Sequence, residues 1–223
     1  MLKTSPNTNE VNDIKGVKYN SYWGWQNGRK RNSRDKDIEE PINMLTHYWK
    51  MSDKTTLNTT VAYQVGFVGN SRIDYQNANS PDPTYYKNLP SYFLNDPLNY
   101  VTVDGVTTNP LADIAKSNFV NNGQIDWNAM YLANQNSVNA GKSVYALYED
   151  RTDDKQYSAN TILFSNITDN ITLNAGATYR KLKSHNYQKL QDLLGGQYFL
   201  DVDPFYSGDQ TQSDLITPNR RIE

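Results

Sequence analysis

The chain has 223 residues, with 22 Lys and Arg against 24 Asp and Glu, for a formal net charge of −2. That balance lacks the basic excess of a nucleic-acid binder, so no nucleic-acid partner is expected. There is no Cys and there are two His, which excludes a disulfide scaffold and any thiolate metal site and argues against an all-His metal centre.

Mean hydropathy is low at −0.80, yet the chain carries 17 Tyr and 4 Trp. A disordered chain is usually poor in aromatics. The mix instead suits strands with one wet face, joined by long ordered polar loops. No run approaches the ~18–20 apolar residues of a spanning helix. The opening MLKTSPNTNEVND has no apolar core of the kind a signal peptide needs.

Residues 1–41 read as a polar loop. Within it YNSYWGWQNGRKRNSRDKD turns from aromatic to basic, and Asn27-Gly28 marks a turn. Residues 42–67 read as a hairpin. Its first strand is INMLTHYWK, entered from Pro41, with Ile42, Met44, Thr46 and Tyr48 on one face and Asn43, Leu45, His47 and Trp49 on the other. After the turn Ser52-Asp53-Lys54-Thr55 the alternation is clean. Leu57, Thr59, Val61, Tyr63, Val65 and Phe67 share a largely apolar face, and small or polar residues share the other.

Residues 68–156 form a segment too long for a plain loop, since connections usually run ~4–6 residues. It is expected to carry short helices. Asn109 is a candidate cap with Pro110 following, and Asp126 caps WNAMYLANQ. Asn134 is taken to be exposed there.

Residues 157–183 repeat the first hairpin. MSDKTTLNTTVAY at 51–63 and ITDNITLNAGATY at 167–179 share a polar turn, Thr-Leu-Asn and a closing Tyr. Ile171, Leu173, Ala175, Ala177 and Tyr179 take the apolar face. Residues 184–223 read as a final loop, with a short helix over 184–194 stopped by Gly195-Gly196.

Short turns alternating with long loops are the pattern of an outer-membrane barrel, with the turns periplasmic and the loops, 1–41, 68–156 and 184–223, extracellular. The fold class expected is all-β: antiparallel hairpins forming part of a transmembrane β-barrel, with long extracellular loops carrying short helices. Leu57, Val61, Tyr63, Val65, Leu173, Ala175, Ala177 and Tyr179 would face lipid, Tyr63 and Tyr179 at the aromatic girdle.

The stretches YWGWQNGRKRNSR (22–34), EEPINMLTHYW (39–49), SDKTTLNTTVAYQVG (52–66), GNSRIDYQNANSPDPTYYKNLPSY (69–92) and the region 151–205 resemble TonB-dependent outer-membrane receptors, of the type with a carboxypeptidase-like regulatory domain. The resemblance implies a signal peptide, a TonB box, a plug and a barrel of ~22 strands. The first three are not legible, and four strands are fewer than the eight of the smallest bacterial barrels. The chain therefore resembles an interior slice of such a barrel. The implied location is the cell outer membrane. The implied partners are outer-membrane lipid, the receptor's remaining strands and plug, and TonB through that plug. The implied function is capture and uptake of a scarce nutrient, an iron chelate or a glycan. Two alternatives stand beside it: a secreted or surface carbohydrate-binding β-sandwich, and a gene remnant without function.

Candidate ligand residues are Trp23, Trp25, Arg29, Arg31 and Arg34, with Tyr22 and Lys30 beside them. Aromatics with guanidinium groups stack on sugars or grip anions. The structural alternative has Trp packing within the loop and Arg pairing with Asp35, Asp37, Glu39 and Glu40. Tyr85 and Tyr86, in PDPTYYKNLPSY, are either a binding lip or a rigid self-packed loop. Glu149, Asp150, Asp153, Asp154, Asp201, Asp203 and Asp209 do not match the spacing of an EF-hand loop. The sequons at Asn58, Asn166 and Asn170 are read as chance. No Gly-x-Ser-x-Gly, His-Glu-x-x-His or phosphate loop occurs, and nothing places His47 or His185 beside a nucleophile. No enzyme activity, catalytic residue, cofactor or metal is expected.

Overall fold

The computed structural model describes residues 8–75, 78–202, 213–216 and 221–222. It is mostly β, with antiparallel sheets. No helix among the described residues is long and apolar enough to cross a membrane, which says nothing about a β-barrel.

Among the described residues four α-helices occur: α1 (Asn9–Lys15), α2 (Pro90–Leu94), α3 (Pro110–Asn121) and α4 (Trp127–Gln135). The strands in chain order are β1 (Trp23–Gln26), β2 (Arg29–Asn32), β3 (Lys36–Glu39), β4 (Ile42–Ser52), β5 (Thr55–Asp74), β6 (Val101–Val103), β7 (Val106–Thr108), β8 (Ala146–Thr168), β9 (Ile171–Asp192), β10 (Phe199–Val202), β11 (Ser213–Ile216) and β12 (Arg221–Ile222). The main sheet has the order β12-β9-β8-β5-β3, with β4 also paired to β5.

Both expected hairpins form, and both turns fall where the sequence puts them, between β4 and β5 and between β8 and β9. The strands are longer than expected. β5 continues to Asp74, β8 begins at Ala146, and β9 runs through to Asp192. The helix expected over 184–194 is therefore strand as far as Asp192. Across β8 and β9, Thr152 donates to Asn186 at 2.7 Å and Gln188 donates to Asp150 at 3.2 Å. These long-range pairs override the local propensity. The glycine signal marks a turn instead, with Leu194 at φ 50° and Gly195 at φ 87°.

The two helices read from their caps are present. Asn109 accepts from the Ala112 N–H at 3.0 Å and Asp126 from the Ala129 N–H at 2.9 Å, each satisfying a donor the first helical turn leaves open.

The chain divides into two compact units. One comprises residues 37–70 and 150–188; the other comprises residues 1–36, 71–149 and 189–222. The first holds most of the main sheet. Leu45 pairs with Val61 and Asn43 with Tyr63 across β4 and β5. Thr55 and Thr59 hydrogen-bond Ser165 and Thr161 across β5 and β8, and Tyr63 meets Tyr157 with ring centroids 4.8 Å apart. On the opposite face Asn160 bonds Thr178, Asn166 bonds Thr172 and Gln156 bonds Arg180 across β8 and β9. Because side chains alternate along a strand, the odd-numbered residues of all four strands share one face. Leu57, Val61, Tyr63 and Val65 thus lie on the same face as Leu173, Ala175, Ala177 and Tyr179.

In this unit β3 and β4 follow one another along β5, interrupted near Pro41, which has no N–H to give the ladder. Gly66 sits opposite the interruption. A Cβ there would come within 2.0 Å of the Glu39 carbonyl oxygen.

Among the described residues the other unit has three small apolar clusters. Ile125, Trp127, Met130, Leu147 and Leu194 form one; Ala146, Leu190, Leu193 and Phe199 a second; Val11, Leu89 and Phe119 a third. Asn134 is 1% exposed, which corrects its expected exposure. Its Oδ1 accepts from the Val144 and Tyr145 N–H groups, and its Nδ2 donates to the carbonyls of Tyr145, Leu193 and Leu194. Position 134 is the inward side of α4, so a polar letter became a buried connector between three backbone segments.

Candidate functional site

The aromatic and basic cluster lies on the β1–β2 hairpin. Its turn residues Asn27 and Gly28 have φ 49° and 75°, the left-handed pair that a two-residue hairpin turn requires. Trp23 pairs with Asn32, and Trp25 with Lys30. Period two therefore splits the cluster into two faces.

Trp23, Trp25 and Lys30 share one face. The Lys30 ammonium sits 4.6 Å from the Trp23 ring centroid and 5.6 Å from that of Trp25. The two indoles meet edge to face at 6.0 Å. Trp25 and Arg29 are exposed.

Arg31 turns the other way and is built into the fold. Its guanidinium stacks 4.3 Å from the Trp127 centroid and bonds Asp192 Oδ2 at 2.6 Å and Gln26 at 2.8 Å. The Trp127 indole N–H donates to the Arg31 carbonyl at 3.2 Å. Gly24 on the same face is buried, and a Cβ there would strike the Ile125 carbonyl at 1.8 Å. The expected Arg31 partners among Asp35, Asp37, Glu39 and Glu40 are thus replaced by Asp192. Burial pushes the Asp192 carboxyl up. Hydrogen bonds from Arg31, the Leu194 N–H and the Tyr131 hydroxyl outweigh that and hold it below its ordinary value.

A cavity of about 410 Å³ is lined by Asn20, Trp23, Lys30, Arg31, Asn32 and Asp35. Asn32 spends its Oδ1 on the Arg34 N–H at 3.1 Å, while its Nδ2 is buried with no partner. Desolvation raises the Asp35 carboxyl above its ordinary value, against the pull of Arg31. The cavity thus offers an indole, a cation, a carboxylate and an unspent amide donor. That set suits a polar ligand carrying acceptor oxygens.

Arg34 leaves this group. It stacks over Tyr22 at 5.2 Å and shares a second cleft, about 190 Å³, with Tyr22, Tyr75, Asp82 and Tyr85. Two sequence-named residues, Arg34 and Tyr85, therefore line one cleft. Tyr86 belongs to an aromatic run instead, meeting Tyr85 at 4.8 Å and Tyr92 at 5.6 Å, with Phe93 5.3 Å beyond Tyr92. Asp82 closes this segment on itself by accepting from the Thr84 N–H and hydroxyl.

Sequence reading missed Trp127, Asp192 and Tyr131 as supports, and Asn20 and Asn32 as lining. Gly24 was the available signal, since a glycine in register with Arg31 marks the closely packed side of the hairpin.

Among the described residues the acidic side chains do not converge. Glu149 is buried and accepts from Gln191, Asp150 accepts from Gln188, and Asp153 is held by Arg151 and Tyr187. Among the described residues no group of three His, Asp or Glu could hold a metal ion. The Asp201 side chain, Asp203 and Asp209 lie outside the described residues.

The odd-numbered face of the main sheet carries a shallow apolar groove of about 440 Å³, lined by Leu45, Val61, Ala62, Tyr63, Tyr157 and Tyr179 among others. Val61 is 46% exposed and Tyr179 60%. Comparison with known proteins gave no matching family model and no similar curated protein.

Proposed function

We propose that the chain is a section of a TonB-dependent outer-membrane receptor barrel, of the type with a carboxypeptidase-like regulatory domain, that serves capture and uptake of a scarce nutrient such as an iron chelate or a glycan. One observation carries the reading. Two hairpins far apart in sequence join in one sheet whose odd-numbered face carries Leu45, Val61, Tyr63, Tyr157, Leu173 and Tyr179, and large apolar residues, among them Leu45, Val61, Tyr157, Leu173 and Tyr179, are left exposed on it. Soluble proteins rarely leave so extended an apolar surface uncovered, whereas a barrel strand needs it against lipid.

Two further features support it. Each hairpin has a short polar turn, and the chain between β5 and β8 folds into short helices and one small hairpin, β6–β7, among the described residues. The outer strand β4 is exposed along its whole length, and so is β9 from Ile171 to Ser184. The outer edge of β4, which pairs only with β5 among the described residues, calls for a neighbouring strand, because unpaired backbone groups cost several kcal/mol each in hydrocarbon. In this reading the remaining strands and the plug lie outside these 223 residues. The hairpin cavity around Trp23 and Asn32 takes part in ligand capture, and TonB acts through the plug.

The test is surface labelling in cells that make the intact receptor containing the chain. Leu98 is 90% exposed in the 68–156 segment, and Asp53 lies in a short turn. Leu98→Cys is expected to react with a membrane-impermeant maleimide on whole cells, and Asp53→Cys only after lysis. Labelling of Asp53→Cys alone on whole cells would overturn the proposed topology.

A further inference from the structure

The same face carries a second pattern, and its meaning rests on the lipid-facing reading just proposed. Beyond the tyrosines Tyr63, Tyr157 and Tyr179, the apolar residues give way to lysines. Following β9 away from its turn, the odd-numbered face reads Ile171, Leu173, Ala175, Ala177, Tyr179, Lys181, Lys183. Following β8 back in the same direction, it reads Leu163, Thr161, Ala159, Tyr157, Lys155. The bonds Asn160–Thr178 and Thr152–Asn186 step in one constant antiparallel register. That register sets Lys181 opposite Tyr157, and Lys183 opposite Lys155.

All three lysines are exposed, and none forms an ion pair among the described residues. The nearest carboxylate along β8 on that face, Asp153, is already engaged by Arg151 at 2.8 Å and Tyr187 at 3.0 Å. The turn end of the sheet is different. There Lys50 pairs with Asp53, and Lys54 with Asp169. The turn-end lysines Lys50 and Lys54 are neutralised within the chain, whereas Lys155, Lys181 and Lys183 at the other end are not.

Like charges directly opposite each other on a sheet are destabilising. A Lys155–Lys183 pair with no internal counter-ion is relieved by an anion from outside. The tyrosines set the level of that anion, because aromatic girdles sit at the lipid–water interface. The lysines one and two rungs beyond them fall among headgroups. We infer that Lys155, Lys181 and Lys183 form a docking surface for the phosphorylated headgroup of an outer-leaflet glycolipid of the lipid A class. Lysine ammonium groups suit this task as point charges on phosphate.

The test uses the full chain, diluted from urea onto vesicles and floated on a density gradient. Phosphatidylcholine alone is expected to carry the chain through its apolar face. Adding diphosphorylated lipid A is expected to raise the partition coefficient on the order of 100-fold, from the usual increment per lysine at an anionic surface, and the gain should shrink with added salt. The Lys155→Gln, Lys181→Gln, Lys183→Gln triple variant should lose that gain and keep its phosphatidylcholine binding. Lys54→Gln should keep both. Binding to phosphatidylcholine with no gain from lipid A, or an equal gain in the triple variant, would overturn the headgroup inference alone. Failure to float with any vesicle would overturn the lipid-facing reading and this inference with it. A gain erased by millimolar inorganic phosphate at matched ionic strength would assign the lysines to free phosphate and overturn the lipid assignment.

Discussion

Arg31 was readable from the sequence as a residue of consequence, and its role was not. Nothing local points from Arg31 to Asp192, because the two meet only when β2 and the end of β9 are brought together. The depressed Asp192 carboxyl makes this pair a source of pH dependence. Its stabilising contribution is complete above the ordinary aspartate value, about 4, and fades as pH falls through the lowered one. We expect the amide exchange of Leu194, whose N–H bonds Asp192, to accelerate in that acid range, and Asp192→Asn to remove the dependence. An unchanged profile in the variant would assign the acid sensitivity elsewhere. Asn134 is the other residue whose letter misled. Asn134→Leu strands two N–H groups and three carbonyls, at roughly 1–3 kcal/mol for each group left unsatisfied. Exchange at Val144 and Tyr145 should report a loss of at least ~3 kcal/mol. The exposed neighbour Leu132, changed to Asn, should stay within ~0.5 kcal/mol.

Elements were legible where one local signal sufficed. The caps at Asn109 and Asp126 announced α3 and α4, since a side-chain acceptor three residues before a backbone donor is a short-range device. The alternation of Leu57 to Phe67 announced β5, and the copy at 171–179 announced β9. What local signals did not give was length. β5, β8 and β9 all run past the point where their apolar alternation stops, because cross-strand pairs such as Thr152–Asn186 hold polar residues in the ladder. The same limit produced the helix expected over 184–194. Facing along β5 can be tested directly. In a complete barrel carrying this chain, refolded into lipid vesicles, Val61→Arg should cost about 2–4 kcal/mol, the usual penalty for a cation at mid-membrane. Thr60→Arg, on the opposite face beside Thr46, should be far milder. Equal losses in a urea titration would remove the lipid-facing assignment.

For the molecule as a whole, a mostly β class and both hairpins could be read from the sequence, and their membership of one antiparallel array is expected from it, while the register that joins them is not legible there. Their common face depends on contacts such as Thr59–Thr161 and Tyr63–Tyr157, which link residues about a hundred positions apart. That joining turns two separate apolar stripes into one exposed surface, bounded on one side by strand β4, which pairs only with β5 among the described residues. Exposed strand edges and apolar patches both promote self-association in water. The most direct measurement is therefore light scattering on the purified 223-residue chain in detergent-free buffer, followed by a thermal melt of the same sample. We expect polydisperse assemblies without a cooperative transition. A monodisperse monomer that melts cooperatively would contradict the membrane reading and return the soluble β-sandwich to first place.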